Sequence, residues 1–451
     1  MEQIIDACST TLGILGKPRR SGGGSRLAKY CVSLKTEEGV LLFNVLTREM
    51  LLLTFAEYDA VLSLDYLHEH WFTISEDQNE KDLTELVRWV RASLRREQGH
   101  ITHYTILTTT DCNARCFYCY EHGCARITMH PETADKVVNY IQNHCGGKKV
   151  KLRWFGGEPL MNSPVIDRIC NGLRSKGIDF ESYMVSNGYL FDDELVAKAF
   201  HIWDLKEVQI TLDGTEAVYN RSKAFIYQEG SPYRIVTGNI LRLLNAGISV
   251  VVRLNMDLNN ADNLMDLAEE LAERFKGQRR LHIYAHLLFD TEGTGNTRYA
   301  PSQWSRLYDA LHRLEDFLFD HGLSASRFRR LRRELPLSHC MADSGNSVVI
   351  VPDGHLGLCE HYTDSEFFGH IDSDERDQEM IASWRERCDP TAECGDCFYY
   401  PECTELKKCT GRMECSEHVR FALRRHTERA MQNEYHRWRM EKAADQNKNK
   451  K

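Results

Sequence analysis

No apolar run in this 451-residue chain approaches the roughly 18–20 residues that cross a bilayer, so no membrane partner is expected. Met1 to Thr10 carries acids and lacks the basic-then-apolar pattern of an export signal; a cytoplasmic location is the expectation. There is no excess of positive charge: 57 Lys and Arg stand against 66 Asp and Glu, a net charge of -9, which disfavours nucleic acid as a partner. A chain without an export signal has little use for disulfides, yet it holds 16 cysteines. In a reducing compartment, clustered cysteines are more often metal or cluster ligands. At 42% hydrophobic residues the chain can bury a sizeable core, enough for two or three domains.

The cysteines are unevenly placed. Three lie in Cys112–Cys119 and eight in Cys340–Cys415. The scattered five (Cys8, Cys31, Cys124, Cys145, Cys170) read as small buried apolar residues.

Four regions are expected. Residues 1–98 form a small α+β module. Arg19 to Gly24 has a flexible linker composition, and Ala28–Lys35 with Val40–Val45 makes a hairpin candidate. Thr54 and Glu57 form a capping box for a helix over Phe55–Ser63. Trp71–Ile74 reads as a strand, and Leu83, Leu86, Val87 and Val90 line one face of a helix over Asp82–Arg96. Residues 99–325 alternate strands and helices, with β-runs at His103–Thr110, Val150–Phe155, Glu181–Ser186, Val208–Leu212, Ile248–Asn255 and Leu281–Leu288. This is an α/β pattern with a parallel sheet. About 190 residues is short for eight units, so a partial (β/α)6 barrel is expected, with an open doubly wound sheet as the alternative. Residues 326–420 contain the later cysteines, preceded by a helix over Gln303–Arg333 whose Arg327, Arg329, Arg330, Arg332 and Arg333 read as a solvated face. Residues 421–451 close the chain with a helix and a polar tail.

Cys112, Cys116 and Cys119 follow the first strand of the alternating region. Three thiolates on one loop can ligate three irons of a [4Fe–4S] cube and leave the fourth open. A zinc site completed by Cys124 is the alternative. CxxxCxxC with an aromatic, Tyr118, before the last cysteine resembles the signature of the radical S-adenosylmethionine (SAM) superfamily. Further matches follow in order at strand ends: Gly156-Gly157-Glu158-Pro159, Ser186-Asn187-Gly188, Leu212-Asp213-Gly214 with Arg221, then Arg253 and Asn255. The resemblance implies that Gly156, Gly157, Glu158, Pro159, Ser186, Asn187, Asp213, Arg253 and Asn255 bind SAM, with Glu158 and nearby carbonyls accepting from its ammonium. It also implies reductive cleavage of SAM and hydrogen abstraction from a substrate, with flavodoxin or ferredoxin as electron donor.

Cys340, Cys359, Cys388, Cys394, Cys397, Cys403, Cys409 and Cys415 could supply two further Cys₄ clusters. They resemble the SPASM extension of radical SAM enzymes, although the family has fewer residues between the cysteines matching Cys403 and Cys409. The implied grouping is Cys340, Cys359, Cys409 and Cys388 for one cluster, and Cys394, Cys397, Cys403 and Cys415 for the other. With the first cluster this makes three [4Fe–4S] clusters. A zinc ribbon at Cys394 and Cys397 is the alternative. Glu360, next to Cys359, is a candidate proton acceptor.

SPASM enzymes mostly modify peptides, and the 25–95 module resembles the winged-helix-like recognition element of ribosomal-peptide maturases. An exposed hairpin edge can bind an extended leader by strand addition. The resemblance implies a precursor peptide with a leader as partner, and a cross-link as product. A Cys sulfur-to-carbon thioether, of sactipeptide or ranthipeptide type, is the leading expectation. Carbon–carbon cross-linking and sulfatase-maturase-like oxidation follow, with a non-enzymatic iron–sulfur protein as the remaining class.

Overall fold

The computed structural model describes residues 1–19, 24–94, 99–121, 123–227, 230–288, 300–324, 330–389, 391–409 and 415–448. Most of the Arg19–Gly24 linker, the last residues of the helix expected to reach Arg96, Arg327 and Arg329, and the final tail residues lie outside the described residues.

The first sheet is antiparallel. Its strands are β1 (Glu2–Ile5), β3 (Cys31–Lys35), β4 (Val40–Asn44) and β5 (Met50–Leu53), in the order β1-β5-β4-β3. The expected hairpin is β3–β4, with Lys35 opposite Val40. β1 and the helix Ser9–Leu15 carry no strong sequence signal and went unanticipated. β2 (Ser25–Leu27) pairs with β6 (Thr73–Ser75). β6 starts later than the expected strand because Trp71 sits in the left-handed region at φ 65°. The Thr54–Glu57 capping box is present, but its helix spans only Phe55–Asp59 and a 3₁₀ turn follows at Val61–Ser63. After a short helix, Asp65–Glu69, the longer helix is Glu80–Leu94; Val87 is buried, whereas Leu86 is 43% exposed and does not join the core face.

The main sheet contains β7 (His103–Thr109), β8 (Val150–Gly156), β9 (Phe180–Ser186), β10 (Leu205–Leu212), β11 (Ser249–Met256) and β12 (Leu281–Leu287). All pair parallel with their sequence neighbours. The order never reverses, unlike that of a doubly wound sheet. Burial alternates along β8 and β9. Val150, Leu152 and Trp154 of β8, and Phe180 and Met184 of β9, pack into the main core with the crossover helices. Lys151, Arg153 and Tyr183 point to the other face, over a cavity of about 260 Å³ also lined by Glu207 and Gln209. The sheet is thus covered by helices on one side and keeps a polar side open.

The cysteine-rich region does not stand apart from this sheet. β13 (Ser347–Ile350) pairs parallel with β7, and β14 (His355–Gly357) and β15 (Gly369–His370) extend the edge antiparallel. The helix expected over Gln303–Arg333 ends at Asp320, where Gly322 (φ 70°) turns the chain back. The last helix, Glu417–Lys448, crosses the N-terminal sheet: Ala430, Met431, Tyr435 and Trp438 pack with Val32, Leu34 and Phe43. Tyr400, Cys394 and Cys397 belong to the same cluster. The N-terminal module is therefore seated on the second half of the cysteine-rich region. No helix among the described residues is long and apolar enough to cross a membrane.

Candidate active site

The loop after β7 leaves the sheet at Thr109 and returns at Thr128, which bridges back to Thr109. Gly156 and Gly157 hold it there. A Cβ on Gly156 would meet Thr109 O at 2.1 Å, and one on Gly157 would meet Asp111 O at 2.3 Å. The main chain of β8's end instead bonds the loop directly, Gly157 N to Thr109 O (3.1 Å) and Glu158 N to Asp111 O (2.9 Å). These glycines let two backbones touch.

Within the loop, Ala114 N donates to Cys112 Sγ (3.4 Å). Burial, reinforced by Glu158 and by the neighbouring Cys116 and Cys119, pushes the Cys112 thiol up to about 12. Cys119 is raised for the same first reason. Three thiols thus share one partly buried loop, where Cys116 disfavours ionisation of Cys112 and Cys119; iron binding would remove their protons.

Glu158 is fully buried. Its carboxylate accepts from Ser186 Oγ (2.9 Å), Asn187 N (2.8 Å) and Leu160 N (3.1 Å). It clamps the end of β8 to the end of β9. Burial pushes it up to about 7 against those hydrogen bonds. The Asn187 amide donates to Asn113 Oδ1 (2.6 Å) and reaches Cys112 Sγ at 3.8 Å. Pro159 O accepts from Thr108 Oγ1.

A second group lies under Tyr118. Its hydroxyl donates to the Asp213 carboxylate (2.7 Å) and accepts from Lys223 Nζ (2.7 Å), and Lys223 stands 3.3 Å from Asp213. Asn255 Nδ2 donates to Asp213 Oδ1 (3.1 Å). Burial opposes the Lys223 charge, but Asp213, Cys116 and Tyr118 outweigh it and hold the ammonium. A cavity of about 280 Å³ opens beside this group, lined by Phe117, Tyr118, Asp213, Arg221 and Asn255. Arg221 faces this cavity from an exposed position, while the buried cation is Lys223. Reading the sequence missed Lys223 because a lysine near the end of a polar helix gives no sign of burial. Arg253 donates to His286 Nδ1 (3.1 Å) on β12.

Seven of the eight later cysteines lie in two neighbourhoods. Cys409 lies close enough to raise both Cys340 and Cys359 electrostatically, and Cys340 to raise Cys359, burial being the larger cause. Cys394, Cys403 and Cys415 act on Cys397 in the same way. Cys388 donates its N–H to Glu405 O. Glu360 borders the first neighbourhood, acting on Cys340, Cys359 and Tyr120. The Tyr120 ring stacks on His361 at 4.2 Å, joining the first loop to the Cys359 loop. His339 Nε2, unanticipated, is 3.9 Å from Cys409 Sγ.

The residues fit an iron–sulfur cluster with SAM. The fully buried Asn113 leaves Nδ2 unpartnered beside Cys112, and buried Asn255 leaves Oδ1 unpartnered beside the cavity. Among the described residues, no three His, Cys, Asp or Glu converge on a single metal ion; thiolates on separate irons of a cube need no such convergence. No disulfide joins any two cysteines among the described residues.

Residues 106–271 match the Radical SAM superfamily. The chain carries a radical SAM domain. The radical SAM expectation is thereby met, with its parallel-sheet core and a cysteine-rich C-terminal region. In fold, the chain resembles anSMEcpe with bound AdoMet and Cp18Cys peptide, with a TM-score of 0.57, 16% identity, and 75% of this chain and 99% of that one covered. It also resembles Streptococcus suis SuiB bound to precursor peptide SuiA, with a TM-score of 0.52, 11% identity, and coverage of 87% and 99%. In sequence, it is 26% identical over 282 residues to a probable GTP 3′,8-cyclase of Archaeoglobus fulgidus, covering 59% of this chain and 88% of that protein. It spans only 39% of an uncharacterized Methanocaldococcus jannaschii protein that it matches at 30% identity.

Proposed function

We propose that this protein is a radical SAM maturase that cross-links a ribosomally made precursor peptide, forming a Cys sulfur-to-carbon thioether. The observation that carries the reading is the second cysteine neighbourhood, built into one core with the N-terminal module. A nucleotide-sized substrate requires neither. Two fold relatives were crystallised with peptides, which supports a peptide substrate.

In this reading Cys112, Cys116 and Cys119 hold the SAM-binding cluster, in a six-stranded partial barrel. Cys340, Cys359, Cys388 and Cys409 hold one auxiliary cluster, and Cys394, Cys397, Cys403 and Cys415 the other. Together, cluster and SAM supply one-electron cleavage of SAM and hydrogen abstraction from the substrate. The chain's own residues position them. Glu158 fixes the β8 and β9 ends, Asn255 Oδ1 offers an acceptor at the cavity wall, and Asn187 steadies the thiol loop. Arg253 faces the polar side of the sheet, where the peptide would lie. The leader docks on the N-terminal module at β3, one of the sheet's two edge strands. Glu360 accepts a proton near the first auxiliary site. Because the N-terminal module shares its core with the C-terminal helix and cysteines, it also stabilises the cluster-bearing region.

The cyclase names of the sequence relatives favour a second reading, ring closure on a purine nucleotide. Anaerobically reconstituted protein given SAM, dithionite and either GTP or the peptide encoded beside its gene separates the two. The first reading expects a peptide lighter by two hydrogens and unchanged GTP. Consumption of GTP with an unchanged peptide overturns it.

A further inference from the structure

Lys223 is 4% exposed, at the end of the helix Glu216–Lys223. A buried lysine is rare unless a partner holds its charge. Here Tyr118 and Asp213, both lining the cavity of the candidate site, hold it. Its ammonium donates to the Tyr118 hydroxyl at 2.7 Å and stands 3.3 Å from Asp213. It also stands 6.0 Å from the centroid of the Tyr219 ring. The Cys116 thiol is close enough to interact electrostatically with it. Its backbone is tied in as well: Arg115 N, inside the cysteine loop, donates to Lys223 O (2.9 Å), and Ile226 N donates to Asn113 O (2.9 Å).

We propose that Lys223 is a positioning residue whose fixed positive charge, seated beneath the cysteine loop and opposed by Asp213, sets the reduction potential of the cluster held by Cys112, Cys116 and Cys119. Charge near a cluster is one of the levers that set its potential. Reduction adds negative charge, so a nearby cation favours the reduced form and a nearby anion the oxidised form. The two members of the pair therefore pull in opposite directions. Tyr118 couples them through its hydroxyl and lies directly before Cys119.

The proposal rests on the cluster assignment above, and the experiment keeps the two apart. A Cys340→Ala, Cys397→Ala background isolates the first cluster's signal. Redox titration followed by electron paramagnetic resonance is run on Lys223→Gln, Lys223→Arg and Asp213→Asn in that background, with iron content measured on each. Lys223→Gln should lower the potential by at least a tenfold change in the reduction equilibrium, 59 mV for one electron. Lys223→Arg should restore most of it, and Asp213→Asn should move it upward. Equal potentials in all variants, or shifts of the same sign for Lys223→Gln and Asp213→Asn, overturn the proposal; loss of packing alone predicts no opposite signs. If Lys223→Gln fails to fold, the Asp213→Asn and Lys223→Arg results decide: a downward or absent shift in Asp213→Asn overturns it. Absence of any iron–sulfur signal in the unsubstituted Lys223 background overturns the cluster assignment instead.

Discussion

Replacing Arg48 by methionine tests how firmly the N-terminal module is joined to the cysteine-rich region. Arg48 lies in the turn between β4 and β5, and its side chain is 1% exposed. Its Nη2 is 2.6 Å from Glu402 Oε1, its Nε donates to Arg332 O (2.9 Å), and its Nη1 donates to Val45 O (3.0 Å). Burial pushes the guanidinium down, and Glu402 pulls it back up. Methionine keeps an unbranched side chain of similar length, so the loss is the pairing together with the guanidinium's contact over the Phe43 ring. Removing one partner of a buried pair costs about 3–5 kcal/mol, because the other charge is left without compensation. Glu402 remains only 14% exposed, so most of that cost applies. The expected loss is about 4 kcal/mol in urea unfolding of the reconstituted protein. Glu402 directly precedes Cys403, so iron retention should fall with it. Adding Glu402→Gln should recover part of the loss. A change below about 1 kcal/mol with full iron retention would show that the module is an independent appendage.

Other substitutions address the site. Gly157→Ala drives a Cβ against Asp111 O, and reconstitution should then lose the first cluster's absorbance while keeping the others; an unchanged spectrum contradicts the loop-packing argument. Glu158, raised to about 7 in the folded chain against about 4.3 when unfolded, binds its proton more tightly in the native state. Its contribution therefore lowers stability as pH rises from about 4 to about 7. Iron-free protein should lose stability over that window relative to Glu158→Gln, whereas a relative gain would reverse the assigned sign. Cys340→Ala and Cys397→Ala, each alone, should lower iron from about twelve to about eight per chain; a common site would make the two losses non-additive when combined.

The parts of the site carried by strand ends were legible because chemistry and local structure coincide there. Cys112–Cys119, Gly156–Glu158 and Ser186–Asn187 combine a motif with a turn that only certain residues allow. The reason for the glycines was only half visible, since their nearest neighbours are the Thr109 and Asp111 carbonyls, on a loop far away in sequence. Lys223 and Arg48 were invisible because they look like surface cations until tertiary partners bury them. β13 could not be assigned to the main sheet in advance, since four residues after a long gap carry too little pattern to identify β7 as a neighbour. Leu86 shows the opposite error, an apolar residue at the correct helical spacing that the fold leaves exposed.

The most direct test of the central claim is analysis of both products of one anaerobic reaction containing the reconstituted protein, SAM, dithionite and the peptide encoded beside its gene. The account predicts 5′-deoxyadenosine together with a peptide lighter by two hydrogens and joined through a cysteine sulfur, with both products lost in Cys112→Ala. Formation of neither product by a protein with full iron content, or an unmodified peptide beside converted GTP, would contradict it.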